Sequence, residues 1–362
     1  NMKIIAFNLP QFHEIPENDE WWGKGFTEWT NIKADNKYSD GIKPLDGNYY
    51  NFLDKSTMQW QTDLCKKYGV YGMCYYHYYF NGRLLLEKPA ENLLEWKDID
   101  QKFCFCWANH TWCRSWNGTK EVLLEQTYGK EEEWGRHFEY LKPFFEDDRY
   151  IKIDDKPVFM IFNTRVECLE QMMSYFDDAC KKAGFAGIFY IQSISNQCYL
   201  EKVPENADAI LTREPDYSYN KYVKKLNKTP LGFIVRCIRY VNRKIFHIKR
   251  INLRKFDGNK LMRFATENLK KAPTDRPYFR CAWSMWDNTY RHKWRGYKIS
   301  RPSKEVFEDY LRALKEECEK RNEEYIFFNA WNEWAEGMIL EPEEKYGYYF
   351  LESIKKVVVD EK

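Results

Sequence analysis

Eight short runs rich in β-branched and aromatic residues, spaced by longer stretches of helical periodicity, constrain this chain more than any other feature. The runs occupy residues 3–9, 70–79, 103–108, 157–162, 187–193, 208–213, 278–286 and 325–332. Helical spacing of apolar positions fills Thr57 to Tyr68, Glu131 to Phe145, Val166 to Ala183, Lys260 to Lys271, Lys304 to Arg321 and Tyr346 to Val358. Strand and helix in alternation build a parallel sheet, because each right-handed crossover lays its helix on the outer face. Eight units predict a closed barrel. An open doubly wound sheet would call for a glycine-rich phosphate turn behind an early strand, and neither G-x-G-x-x-G nor G-x-x-x-x-G-K-[ST] occurs. The expectation is an α/β fold, a single-domain (β/α)₈ TIM barrel over residues 1–362 with decorated βα loops.

Charge is nearly balanced, with 57 Lys and Arg against 55 Asp and Glu, so no global field points to nucleic acid. Aromatic residues reach 18%, and Trp21, Trp22, Trp107, Trp112 and Trp116 stand in polar company. Rings with a polar rim suit the apolar faces of sugars. Eleven cysteines without a C-x-x-C pair read as reduced thiols, Cys104 and Cys106 being small buried residues on one side of a strand. No charged leader precedes a long apolar run, and Asn1 before Met2 resembles an expression scar. The expected location is the cytosol, with neither secretion nor membrane spanning.

In a barrel of this kind, the carboxyl ends of the strands form the site. There the chain carries His13, then Trp22, Glu28 and Trp29; Tyr76 and His77; Trp107, Asn109, His110, Trp112 and Arg114; Glu214; Trp286 and Asp287; and finally Asn332, Glu333, Trp334 and Glu336. Polar and aromatic groups crowded onto one rim favour ligand binding over mere packing. Glu333 and Glu336 are the candidate catalytic pair. Carboxylates three apart, directly behind a strand, can share one cleft and push their pKa values apart, which is what glycosidic chemistry needs. The bland alternative has both glutamates opening the last helix. His13, His77 and His110 end the first three strands, but they lack zinc-signature spacing and are read as hydroxyl partners, so no metal or cofactor is expected. Asp98-Ile-Asp100, the one Asp-x-Asp, precedes the third strand and is read as a turn at the wrong end of the barrel.

One local charge anomaly remains. The stretch 217–257, between strands six and seven, holds 12 Lys and Arg and no acidic residue as far as Phe256, interleaved with apolar side chains. Two readings stand: a solvated excursion whose apolar stripe packs on the barrel, or a membrane-peripheral surface for anionic lipid or a phosphate-bearing substrate. No nucleic-acid-binding module accompanies the charge.

Pro10-Gln-Phe-His13, Trp21 to Trp29, Phe80-Asn-Gly82, Trp107-Ala-Asn109, Trp286-Asp-Asn-Thr289 and Asn329 to Gly337 resemble the WbsX family, which is similar to glycoside hydrolase family 99, the endo-α-mannosidase type. The resemblance runs from residue 3 to about residue 351. It implies a (β/α)₈ barrel, bacterial surface-polysaccharide or lipopolysaccharide gene clusters, a glycosyltransferase label, and an oligosaccharide or lipid-linked glycan as partner. It also implies a retaining reaction in which Glu333 deprotonates the sugar's 2-hydroxyl and Glu336 protonates the leaving oxygen, then serves as base. An internal hydroxyl held beside the anomeric carbon is a nucleophile of high effective concentration. One departure stands out: relatives read Trp-Ala-Asn-Glu-Asn-Trp where this chain has Trp107-Ala-Asn109-His110-Thr111-Trp112, and the lost carboxylate bears on sugar specificity.

The expected function is thus a glycoside hydrolase-like or transglycosylase enzyme acting on α-linked bacterial glycans with two carboxylates. A nucleotide-sugar glycosyltransferase of O-antigen or capsule synthesis, and a non-catalytic glycan-binding barrel, are the alternatives.

Overall fold

A computed structural model describes residues 2–34, 36–114 and 121–361, without the side chains of residues 243, 250 and 252. Trp116, which the sequence places with the rim aromatics, lies outside the described residues, as does Asn1. Eight parallel strands form the centre: β1 (Lys3–Asn8), β2 (Val70–Phe80), β3 (Lys102–Trp107), β4 (Lys156–Ile161), β5 (Phe189–Ile194), β6 (Ala209–Thr212), β7 (Tyr278–Trp283) and β8 (Tyr325–Asn329). Each pairs with the next, and β1 pairs with both β2 and β8, so the barrel is closed.

Helices Lys55–Tyr68, Glu131–Glu146, Leu169–Lys182, Gly258–Asn268 and Lys304–Lys320 lie between strands, as their periodicity predicts. The last shows the logic. The Ser303 side chain caps its first turn by accepting from the Val306 amide, and Val306, Phe307, Tyr310, Leu311, Leu314 and Cys318 form one buried face. Burying each large apolar side chain there contributes roughly 1.5–3 kcal/mol. The alternation breaks once. Between β5 and β6 the crossover carries only a six-residue 3₁₀ turn, Gln197–Lys202, because few residues separate the strands and Pro204 limits any continuation.

Strand alternation sorts the side chains of β2 and β3. Tyr76 and Tyr78 face the barrel's open end, whereas His77 and Tyr79 face outward and meet His137 of helix Glu131–Glu146. In β3, Phe103 and Phe105 pack outward on Phe144, while the buried Cys104 and Cys106 take the other side with Cys74. Asp98 and Asp100 lie in the loop before β3, each paired with a surface lysine, Lys55 and Lys66.

The two last runs are shorter than their composition suggests. β7 ends at Trp283, and Trp286–Asp287 joins a small sheet with Tyr297–Ile299 and Arg254–Phe256. β8 ends at Asn329, and Asn332–Glu333 pairs with Met338–Ile339 around a tight turn closed by Gly337. Gly337 has φ +69°, and a Cβ there would stand 2.7 Å from the Asp287 amide nitrogen, so glycine is required on both counts.

Candidate active site

A cleft of about 440 Å³ opens at the carboxyl ends of the strands. The loop behind β1 contributes Leu9 and Gln11, β2 Tyr76 and Tyr78, and the segments behind β3, β6 and β7 contribute His110 and Trp112, Arg213 and Asp216, and Trp286 and Arg291. Glu333 and Glu336 come from the turn behind β8, and Trp22 from the long first loop. Aromatic walls around a polar floor are the usual make-up of a small-molecule site.

Arg291 organises the floor. Its Nη2 donates to both carboxylate oxygens of Glu28 at 2.9 Å, and its Nη1 donates to Glu336 at 2.8 Å. Glu28, fully buried, also accepts from the Ala335 amide at 2.8 Å, so it holds the Glu336 turn from a second side. Burial, and then the charge of Glu336, push Glu333 well above the usual carboxylate range. Burial raises Glu336 as well, but its contact with Arg291 opposes the rise. The balance therefore biases a shared proton toward Glu333, the more strongly raised of the two, while Glu336 lies beside the guanidinium. This resting bias is the reverse of the roles implied by the family resemblance. His110 is exposed at the mouth of the cleft, and desolvation by the surrounding walls, then the charge of Arg213, lower its pKa.

A second buried carboxylate supports the same turn. Glu341 accepts from the Tyr50 hydroxyl, Gln61 Nε2, Trp331 Nε1 and Trp334 Nε1 at 2.7–3.1 Å, and burial raises it to about 7. Asn332 donates to Asn8, Leu9 and Tyr50, tying β8 to β1.

Of the residues expected at the rim, Trp22, Tyr76, His110, Trp112, Trp286, Glu333 and Glu336 line the cleft. Others stand behind its wall. Glu28 grips Arg291; Arg114 lies 5.0 Å from the Trp22 ring; Asp287 accepts from Thr289 and from the Asp40 amide; Asn109 links to Asn163. Glu214, which burial raises to about 8, accepts from Ser218 in the helix behind β6. Trp29 packs on Phe12 and Trp334, and Trp334 turns its indole nitrogen to Glu341, so neither ring lines the cleft. The histidines do not converge. His77 Nε2 lies 2.8 Å from His137 Nε2 in the outer layer, and His13 Nδ1 meets the Pro10 carbonyl. Trp107 faces outward too, against His137 and Tyr128, because strand alternation gives it the parity of Phe103 and Phe105. Among the described residues, no group of three His, Cys, Asp or Glu could hold a metal ion.

Strand-end reading passed over Arg291, Arg213, Gln11 and Tyr78. Arg291 had one usable signal: acidic residues brought together in a buried site need a cation, and it is an arginine shortly after the seventh strand.

Closed parallel topology with a pair of carboxyls at its carboxyl end, Glu333 buried and Glu336 half-buried, defines a (β/α)₈ barrel with a candidate acid–base site. The chain belongs to the family described as glycosyltransferase WbsX, whose model matches residues 4–354. It is 28% identical to an uncharacterized protein WxcX of Xanthomonas campestris pv. campestris, across 98% of this chain and 49% of that protein. The chain thus spans about half the length of the curated relatives it matches. Among solved structures, it resembles a GH99 endo-alpha-mannosidase from Bacteroides thetaiotaomicron, with TM-score 0.58 and 12% identity over 99% of this chain and 98% of that one. It also resembles a glycoside hydrolase-like protein, with TM-score 0.60 and 13% identity over 99% and 94%. Those two likenesses establish the fold.

Proposed function

We propose that the chain is an enzyme that cleaves or transfers an α-linked glycosyl unit of a bacterial surface glycan, with Glu333 and Glu336 as its acid–base pair. The observation that carries this reading is the asymmetry of the two carboxyls: Glu333 is buried and the more strongly raised, Glu336 is half-buried and bonded to Arg291, and both line an aromatic-walled cleft. A glycosidic bond needs a proton for its departing oxygen and a base on the attacking side, and two carboxyls with unlike surroundings suit that division. The family's implied assignment makes Glu333 the base and Glu336 the acid. Under it, Glu333 takes the proton of the sugar's 2-hydroxyl and Glu336 gives one to the departing oxygen. Tyr76, Trp112 and Trp286 are the proposed sugar platforms, and His110, standing where relatives carry a glutamate, offers a neutral hydrogen-bonding group to a hydroxyl.

The test is incubation of the chain with α-linked bacterial oligosaccharides, with Glu333→Gln and Glu336→Gln alongside. Product from the wild type alone is expected. Turnover by both variants at the wild-type rate would remove the reading. Saturable heat on titration with a nucleotide sugar, and no glycan product, would favour the sugar-nucleotide transferase instead.

A further inference from the structure

The basic excursion packs at its start, where Tyr217 and Tyr219 are buried, but from Pro230 on its apolar stripe is not laid on the barrel. Helix Pro230–Val241 buries none of its residues, and only Gly232, Val235 and Arg239 are even half-buried. Leu231, Phe233, Ile234 and Ile238 are 52–70% exposed, and Ile245 and Phe246 beyond the helix 63–65%. Ten of the 13 exposed large apolar side chains among the described residues lie between 231 and 251. A water-facing surface gains nothing from such a concentration. Beside it, Arg236, Arg239, Arg254 and Arg295 line a hollow of about 880 Å³ together with Phe233 and Trp294.

The charge identifies what covers this face. Residues 217–256 hold 12 cations and no anion, so a symmetric contact with a second copy would set those cations against themselves. A polyanion without apolar surface, such as nucleic acid, would leave the exposed isoleucines and phenylalanines in water. An anionic bilayer meets both demands at once. No helix among the described residues is long and apolar enough to cross a membrane, so the contact is superficial. We propose that residues 230–251 dock the protein onto an anionic lipid surface, with the apolar side chains in the acyl boundary and the arginine-lined hollow over phosphate headgroups. Asp216, which begins the preceding helix, lines the cleft, and Arg295 follows four residues after Arg291, so docking takes place at the cleft's end of the barrel. The proposal does not depend on the chemistry of the cleft.

Sedimentation of the full chain with vesicles tests it. Binding to phosphatidylcholine vesicles containing about one quarter phosphatidylglycerol is expected to exceed binding to phosphatidylcholine alone by at least about tenfold. It is expected to fall by about tenfold or more in the double variant Ile234→Asp with Ile238→Asp. It should fall similarly in Arg236→Glu, and as salt rises from ~0.1 to ~0.5 M. These side chains are exposed, and circular dichroism melts should overlay the wild type. Equal binding to neutral vesicles, undiminished binding by the variants, or no binding to anionic vesicles would overturn the proposal. So would self-association of the wild type that the double variant abolishes, which would assign the face to a second copy.

Discussion

Arg291 joins Glu336 to Glu28: one guanidinium nitrogen bonds Glu336 at 2.8 Å while the other holds both oxygens of Glu28 at 2.9 Å. Three βα loops, those behind β1, β7 and β8, meet in this one link. It orders the turn that carries Glu333 and Glu336, and its charge opposes the rise of both carboxyls.

Replacing Arg291 with Met leaves the buried Glu28 and the half-buried Glu336 without their counter-ion. Loss of stability of about 3–5 kcal/mol is expected, read by urea unfolding. With the guanidinium gone, Glu336 and Glu333 both rise further, because Arg291 lowers each. The pH profile of kcat/KM is therefore expected to move to higher pH. Arg291→Lys keeps the charge but loses the two-pronged contact, and should fall between the two.

Leaving-group chemistry separates the roles of the pair. Glu333→Gln and Glu336→Gln should each lose about 10²- to 10⁴-fold in kcat on an unactivated glycan. On an aryl glycoside with a strongly acidic phenol, the variant that lacks the acid should recover most of its rate, since the leaving oxygen no longer needs a proton. Recovery by Glu336→Gln alone supports the implied assignment, and recovery by Glu333→Gln alone supports the resting bias found here.

Glu341 and Glu214 make stability pH-dependent. Burial raises Glu341 from 4.5 to about 7 and Glu214 from 4.5 to about 8. The folded state binds each proton more tightly than the unfolded chain does. The stability this adds is complete below about pH 4.5 and is lost as pH rises through 7 and 8. Urea midpoints should therefore decline from pH 5 to pH 8 by the contribution of these groups. Glu341→Gln should flatten part of that decline and lower stability by about 1–3 kcal/mol throughout, because an amide nitrogen in place of either oxygen would face at least two donors.

His77 and His110 stand at the ends of adjacent strands but on opposite sides of the wall. His77→Ala removes the contact with His137 and should cost about 1–3 kcal/mol of stability with KM unchanged. His110→Ala, in the cleft, should raise KM about tenfold while leaving the melting temperature nearly in place. Thermal melts and steady-state kinetics on the same two proteins decide the matter.

Local pattern carried the architecture. Eight β-rich runs with helical stretches among them leave few arrangements other than a closed parallel barrel, and that barrel puts Glu333, Glu336, His110 and Trp112 at its functional end. Helix Lys304–Lys320 could be read almost to the residue, because its cap and its buried stripe are both written within 18 residues. Which member of each strand end enters the cleft was harder to read. Tyr76 and His77 are neighbours in sequence, yet one lines the cleft and the other meets His137, and the parity is set by the register of β2 against β1 and β3. Trp334 looked like a sugar platform, but a partner seven residues on, Glu341, claims its indole nitrogen.

Arg291 could be told from other arginines only by its place after the seventh strand, for a related reason. Its two partners are 263 and 45 residues away, and nothing local distinguishes it from any surface arginine. The exposure of the isoleucines on helix Pro230–Val241 was likewise undetermined, since amphipathic spacing says that a face is apolar but not what it meets. Sequence alone thus determined the fold, the carboxylate pair and the basic excursion, all of which are patterns within one stretch of chain. Tertiary structure decided the counter-ion, the inward and outward parities and the uncovered face, because each depends on groups that are brought together only when the barrel closes.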